Sequence, residues 1–446
     1  MPWRNVARSA IIDTMFDMRT PPEEMAEAIV TVLGARCARP EELSERELVD
    51  RIALLENAKC RLEAAQAEAA AALDRRTRER HRAAGVPERR VGEGVGAQIA
   101  LARRVSPSKG ARLLALAKVL TTEMPATLAL MRAGRLSEWR ATILTRETTC
   151  LSTEDRRRVD HELCNTGRAA ELGDRELEAA ARRIAYEVDA ESVLARAAKA
   201  ASDRTVTIRP APDLMTIVTA LLPMTEGVAT YAALRAAAES ARAAGDGRSR
   251  GQVMADTLVE RTTGRSVASP ASIDLRLVMT DRALLTSDDT PALVPGYGPV
   301  PAEWARRVVS SADVALKRLF TSPATGDLIA MESRSRIAPA GLREFIAIRD
   351  GGLCRTPYCG SPIRHVDHIV RAADGGATAA DNLQGLCERC NHAKEAPGWR
   401  ARPGPDATVI STTPTGHLHA SHPPSRWPST RPLVNLVLNA DYVLTA

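Results

Sequence analysis

The chain has 446 residues, 61 basic against 55 acidic, a formal net charge of +6 and only 3% aromatic residues. That length suits about three domains, with cores resting on Leu, Val, Ile and Ala. The charge permits a polyanionic partner without requiring one, because an arginine and alanine excess also follows from GC-rich coding.

Near the N-terminus Ile11, Ile12, Met15 and Phe16 are interrupted by Asp13 and Asp17, so no export signal is expected. The longest apolar stretch, near Leu214–Leu222, is too short to cross a bilayer. Both features point to a cytoplasmic protein with reduced thiols and no membrane partner.

Residues 20–200 read as a helical domain. Ser44-Glu45-Arg46-Glu47 is a capping box, and Leu48, Ile52, Leu55 and Leu62 follow at helical spacing. That helix is expected to run to about Arg80, with Gly85 and Pro87 ending it. Another helix starts at Ser106-Pro107 and carries Leu113, Leu114, Leu116, Val119 and Leu120. Breaks follow at Pro125, Gly134 and Ser152. The short helices from Ser106 to Leu144 suit a scaffold better than a helix-turn-helix reader. Arg156-Arg157-Arg158 reads as a solvated helix face rather than a phosphate clamp.

Residues 201–300 change pattern to a small α/β region. Thr205–Arg209 alternates with period two and Met215–Leu222 is β-branched and apolar, which predicts two strands. A helix over Thr225–Ala244, a second capping box at Ser249–Gln252 and a strand over Ile273–Thr280 come next. Gln252 and Asp256 stand one helical turn apart, a spacing more common on a solvated face than in a polar site. Pro291–Pro301 reads as a linker or surface loop, and residues 301–338 as linker helices around Ala302–Val309 and Ser311–Leu319. A helix over Ala338–Asp350 then delivers the chain to Cys354.

Half of the eight cysteines fall between Cys354 and Cys390, as a C-x4-C pair (Cys354, Cys359) and a C-x2-C pair (Cys387, Cys390). Two such pairs, each spanning one tight turn, can converge tetrahedrally on one Zn²⁺. Between them Asp367-His368 ends an apolar-rich stretch, and Asn391 follows the second pair, enough to hold a second, hard cation beside a base. Arg343, Arg349 and Arg355 flank the cysteines as candidate phosphate contacts. Beyond Trp399 a hairpin is expected to turn at Pro414-Thr415-Gly416, within a terminal region 403–446. His417, His419 and His422 there lack acidic or thiol partners and read as strand histidines.

The run D-H-I, then D-N-L, L-C-x-x-C-N-x-x-K and P-G-W, resembles the HNH endonuclease motif of the ββα-metal fold. With a long Ala/Arg-rich helical region in front, the whole chain resembles the actinobacterial 13E12-repeat proteins, which pair a domain of unknown function with a C-terminal HNH module. The resemblance implies a mainly α protein with a small α/β region, ending in a zinc-bound HNH module over residues 339–402. It implies hydrolysis of phosphodiester bonds of DNA, with the choice between DNA and RNA left open by the motif. His368 would be the general base. Asp367 and Asn391 would be protein ligands of a catalytic Mg²⁺ or Mn²⁺, and Asn382 would tie the connecting loop that orients His368.

Arg364, Arg371 and Lys394 are expected at phosphates. His392 competes with Asn391, since successive helix residues diverge by about 100° and cannot both address one metal. Strict strand alternation would send Asp367 and His368 to opposite faces, so the site requires the strand to end or kink there. The alternative is a zinc-bound nucleic-acid-binding protein without cleavage activity; a helical interaction scaffold carrying a degenerate nuclease is a third. Because the module has few side chains left for base edges, a fragment from about Pro339 to the C-terminus is expected to cleave weakly and with little sequence preference.

Overall fold

Ser44 accepts a hydrogen bond from the Glu47 amide, and the Glu47 carboxylate bonds back to the Ser44 amide, so the first long helix starts where its capping box stands. The computed structural model describes residues 40–264, 274–310, 312–319, 332–333, 338–424 and 435–442; the apolar cluster Ile11–Phe16 lies outside them. The described chain divides into two units, one of residues up to Ala197 and one from Ala198 onward, apart from the short stretch Arg104–Pro107, which groups with the second.

The first unit is helical. α1 (Glu45–Ala83) buries Cys60, Ala64, Ala67 and Ala71, spaced three or four residues apart. The larger apolar residues nearer its start, Ile52 and Leu55, remain exposed, so the alanine stripe makes the packing face. Helices α2 (Val95–Ala102), α3 (Pro107–Thr122), α4 (Pro125–Arg132), α5 (Glu138–Glu147), α6 (Thr153–Asp160) and α7 (Asp174–Val188) complete it, followed by α8 (Ala190–Ala200). Leu120, Met131, Leu144, Leu163 and Ile184 are fully buried there. α2 and α3 cross closely: a Cβ on Gly110 would stand 2.5 Å from the Gly96 carbonyl oxygen and from the Ala100 methyl. Arg156 departs from the solvated-face reading. It is buried, with its guanidinium on the Glu123 carboxylate and the Thr148 carbonyl.

In the second unit, β1 (Thr205–Pro210) and β2 (Thr216–Leu221) form an antiparallel hairpin, followed by α9 (Met224–Ala243) and α10 (Arg250–Thr263). Gln252 caps α10, and Asp256 pairs with Arg248 at 2.6 Å, so both act structurally.

A five-stranded antiparallel sheet then has the order β5-β4-β3-β14-β6, from β3 (Asp274–Thr280), β4 (Ala292–Val294), β5 (Gly298–Val300), β6 (Ala312–Leu319) and β14 (Asn435–Tyr442). Three expectations change here. The stretch Pro291–Pro301 is a tight hairpin rather than a linker, and its Ala292, Val294 and Val300 join a core with Leu277, Met279 and the Ala305 and Val308 of α11 (Ala302–Ser310). The Ala312–Leu319 segment is a strand where a helix is expected, because β14 pairs along its whole length. The terminal segment is therefore no tail: β14 runs between β3 and β6.

The remaining segment carries the cysteines. α12 (Ala340–Arg349) packs Leu342, Phe345 and Ile346 against Ala380 and Leu383. β8 (His365–His368) pairs antiparallel with β10 (Leu383–Leu386), and α13 (Glu388–Lys394) follows at once, giving strand, strand, helix. Between the strands lies β9 (Thr378–Ala379), paired with β7 (Glu332–Ser333); beyond the helix come β11 (Arg400–Pro403), β12 (Val409–Thr412) and β13 (Leu418–Ser421). Among the described residues no single helix is long and apolar enough to cross a membrane.

Candidate functional site

The first cysteine pair sits on a turn closed by the Cys354 amide on the Ser361 carbonyl (2.8 Å) and the Cys359 amide on the Thr356 carbonyl (3.1 Å). Positive φ at Tyr358 and Gly360 lets the chain reverse there. The second pair uses the start of α13, with Cys387 at the N-cap and Cys390 in the first turn. All four sulfur atoms lie within 4.8 Å of one another, and Cys359 Sγ is 3.6 Å from both Cys387 Sγ and Cys390 Sγ.

That spacing decides between two chemistries. A disulfide requires about 2.05 Å, whereas sulfurs at about 2.3 Å from a shared tetrahedral ion stand roughly 3.8 Å apart. The geometry fits the ion. The thiols also perturb one another: hydrogen bonding to Cys359 raises Cys354, hydrogen bonding to Cys354 and Cys359 raises Cys390, and both partners hold Cys359 low. Among the described residues this is the one cluster of three or more side chains able to share a metal.

β8 ends at His368: the chain bends at Ile369 and Val370, just past a last ladder bond from the Ile369 amide to the Asn382 carbonyl (2.7 Å). The break meets the condition set by strand alternation: Asp367 and His368 line one cavity of about 580 Å³, together with Arg343, Arg364, Arg371 and Lys394. His368 is buried, and its Nε2 stands 2.9 Å from Thr378 Oγ1. Sequence reasoning missed Thr378, because a threonine on a two-residue strand carries no motif signal.

Asn382 ties the connecting loop at both ends. Its Oδ1 accepts from the Val370 amide (2.9 Å), and its Nδ2 donates to the Val370 (3.1 Å) and Ala377 (2.8 Å) carbonyls. A Cβ on Gly376 would fall 2.0 Å from the Val370 oxygen, so only glycine fits inside that loop.

Lys394 is engaged within the site rather than free for a phosphate: its ammonium donates to the Asp367 carboxylate and the His368 carbonyl, and stands 3.5 Å from Glu395. Arg371 pairs with Glu395 at 3.0 Å, while Arg343 and Arg364 are exposed on the cavity wall. Asn391 stands one helical turn before Lys394, and its Oδ1 is buried without a hydrogen-bond partner. His392 is exposed. Among the described residues lining the cavity, neither Asn391, His392 nor Asn382 appears. An amide oxygen left without a partner is a donor of the kind that Mg²⁺ or Mn²⁺ takes.

Two arginines proposed as phosphate contacts are structural instead. The buried Asp350 carboxylate receives Arg349 Nε, Arg355 and the Gly385 amide, each at 2.8 Å. Arg355 continues to the Ala407 and Ser421 carbonyls, both at 2.8 Å, joining the cysteine turn to the strands beyond the helix.

Comparison with known proteins places this geometry. The family model described as Domain of unknown function (DUF222) matches residues 55–350. The chain belongs to the DUF222 family. Its cysteine-bearing segment is an HNH endonuclease domain, matched over residues 354–396, so DUF222 and HNH stand in the order that the motifs imply. This DUF222 protein is 37% identical over 139 residues to Uncharacterized protein Rv3776 of Mycobacterium tuberculosis, covering 30% of this chain and 25% of that protein. It is 40% identical over 90 residues to Uncharacterized protein Rv2100 of the same species, covering 20% of this chain and 16% of the relative. The matched stretches thus span a quarter or less of those relatives' length. No solved structure matches.

Proposed function

We propose that this DUF222 protein is a metal-dependent endonuclease that hydrolyses phosphodiester bonds of DNA, its module held together by a structural Zn²⁺ on Cys354, Cys359, Cys387 and Cys390. One observation carries the reading: Asp367 and His368, adjacent in sequence, line a single arginine-walled cavity at the end of β8. His368 accepts the proton of the attacking water, held in orientation by Thr378. Asp367 and the Asn391 amide oxygen would hold Mg²⁺ or Mn²⁺, which neutralises phosphoryl charge and helps the departing oxygen. Arg343 and Arg364 meet the phosphates on either side, and such contacts make binding fall as salt rises. Reduced zinc-bound thiols also suit a cytoplasmic location.

The test is nicking of supercoiled plasmid DNA with Mg²⁺ or Mn²⁺. Cleavage should vanish in EDTA and in His368→Ala, with zinc retained in the variant. Asp367→Ala and Asn391→Ala should likewise abolish cleavage; sensitivity of His392→Ala in place of Asn391→Ala would move the ligand to His392. DNA binding without any cleavage by the wild-type chain would make the protein a zinc-bound nucleic-acid binder and end the proposal.

A further inference from the structure

The β1–β2 hairpin presents a surface that the nuclease reading leaves without a role. All twelve of its strand residues are exposed. The register pairs Val206 with Ala220 and Ile208 with Val218, which places these four on one face; Thr205, Thr207, Arg209, Ile217, Thr219 and Leu221 are on the other. The centre of the first face is thus apolar, with Val206 66%, Ile208 58% and Val218 55% exposed. α9, next in the chain, adds an apolar stripe in which Met224, Val228 and Tyr231 recur at helical spacing and are 81%, 64% and 58% exposed. In addition, β1 and β2 form a sheet of two strands only, so each offers an outer edge of backbone donors and acceptors.

A two-stranded hairpin with both faces in water is marginal by itself, and three or more strands are needed for independent stability. Nucleic acid is a poor occupant, because its phosphates call for cations and this face is aliphatic. The extent of the surface fits a protein interface. Adding Leu222, just beyond β2, gives seven apolar side chains exposed by 38% or more. At roughly 100 Å² each they offer about 700 Å² per chain, within the roughly 600–1,000 Å² that each partner contributes to a standard interface.

We propose that a second copy of this chain covers the hairpin and the start of α9, making an isologous dimer. A hairpin with an apolar face is suited to this, because a twofold axis lays that face on the same face of its mate, sheet on sheet. The same operation lays the Val206–Ile208–Val218 face and the Met224–Val228–Tyr231 stripe into a shared core. The assembly carries two nuclease modules.

Sedimentation velocity of the full chain tests this, with mass compared against the 48.0 kDa of one copy. At concentrations of roughly 10 μM and above the wild type should sediment as a dimer. Ile208→Glu combined with Val218→Glu should shift the dissociation constant by 100-fold or more. Val228→Glu, on the exposed face of a helix, should shift it in the same direction and guards against misfolding of the hairpin variant; circular dichroism and zinc content report the fold of each. A single-chain mass at every concentration, as when residues 1–39 of the same chain cover the face, overturns the proposal. So does a dimer that persists in Val228→Glu and the hairpin variant alike, or one found only with a different protein bound.

Discussion

Asp350→Ala is the most informative perturbation of the nuclease module. The Asp350 side chain is 0% exposed and Arg355 only 2%, while Arg349 is 12% exposed. The carboxylate receives three donors at 2.8 Å and Arg349 Nη2 at 3.1 Å. Removing it leaves a buried guanidinium whose charge was offset there, and breaking a buried pair from one side costs about 3–5 kcal/mol. Carbonyls of Ala407 and Ser421 still accept from Arg355, and those of Ala380 and Leu383 from Arg349. They solvate the two cations without neutralising either, so the loss should stay inside that range. Asp350→Asn keeps an acceptor for the Gly385 amide but turns its Nδ2 donor on Arg349 Nε and Arg355, so that variant should be destabilised on the same scale as Asp350→Ala. Urea unfolding followed by circular dichroism gives the stability, and a chromogenic chelator reports zinc released as the module opens. Against a typical domain stability of about 5–15 kcal/mol, the alanine variant should release zinc at markedly lower urea. A change under about 1 kcal/mol for Asp350→Ala would refute the buried network. If Arg355→Ala then weakened DNA binding with stability intact, Arg355 would be a phosphate contact after all.

Cys359→Ser or Cys387→Ser should reduce bound zinc from about one ion per chain to near zero and unfold the module, read by metal analysis and circular dichroism; full zinc retention would remove that cysteine from the ligand set. Thr378→Val should lower the cleavage rate on the order of 10- to 100-fold at unchanged DNA affinity, with Thr378→Ser restoring it. Equal loss in both variants would mean that the hydroxyl bond to His368 is not what matters. Gly376→Ala should destabilise the module by about 1–3 kcal/mol and depress cleavage, because the new methyl meets the Val370 carbonyl; wild-type melting would contradict the packed loop. A fragment from Pro339 to the C-terminus strips β14 of β3 and β6, whereas residues 338–424 retain the module alone. The shorter fragment should therefore be the more soluble, cutting weakly with little sequence preference and a steep salt dependence. Cut sites as narrow as those of the full chain would place specificity inside the module.

Much of this protein is local information, and local information is legible in one dimension. Ser44 and Ser249 mark their helix starts because a cap is decided within four residues. The cysteine pairs announce a shared ion because each spans one turn, and the D-H, D-N-L and C-x-x-C-N runs carry the strand-strand-helix order of the HNH domain. What the tertiary structure alone decided involves partners far apart in the chain. Ala312–Leu319 is a strand because β14 pairs with it from more than a hundred residues away, overriding Ala, Leu and Lys that favour a helix. Arg349 and Arg355 look like phosphate ligands until Asp350 and the carbonyls at 380, 383, 407 and 421 bury them. Thr378 reaches His368 only because the chain between them folds back under Asn382. Motif spacing reports which atoms can converge within a turn, whereas a cation's partner, a strand's neighbour and a base's orientation are fixed by contacts that no spacing encodes.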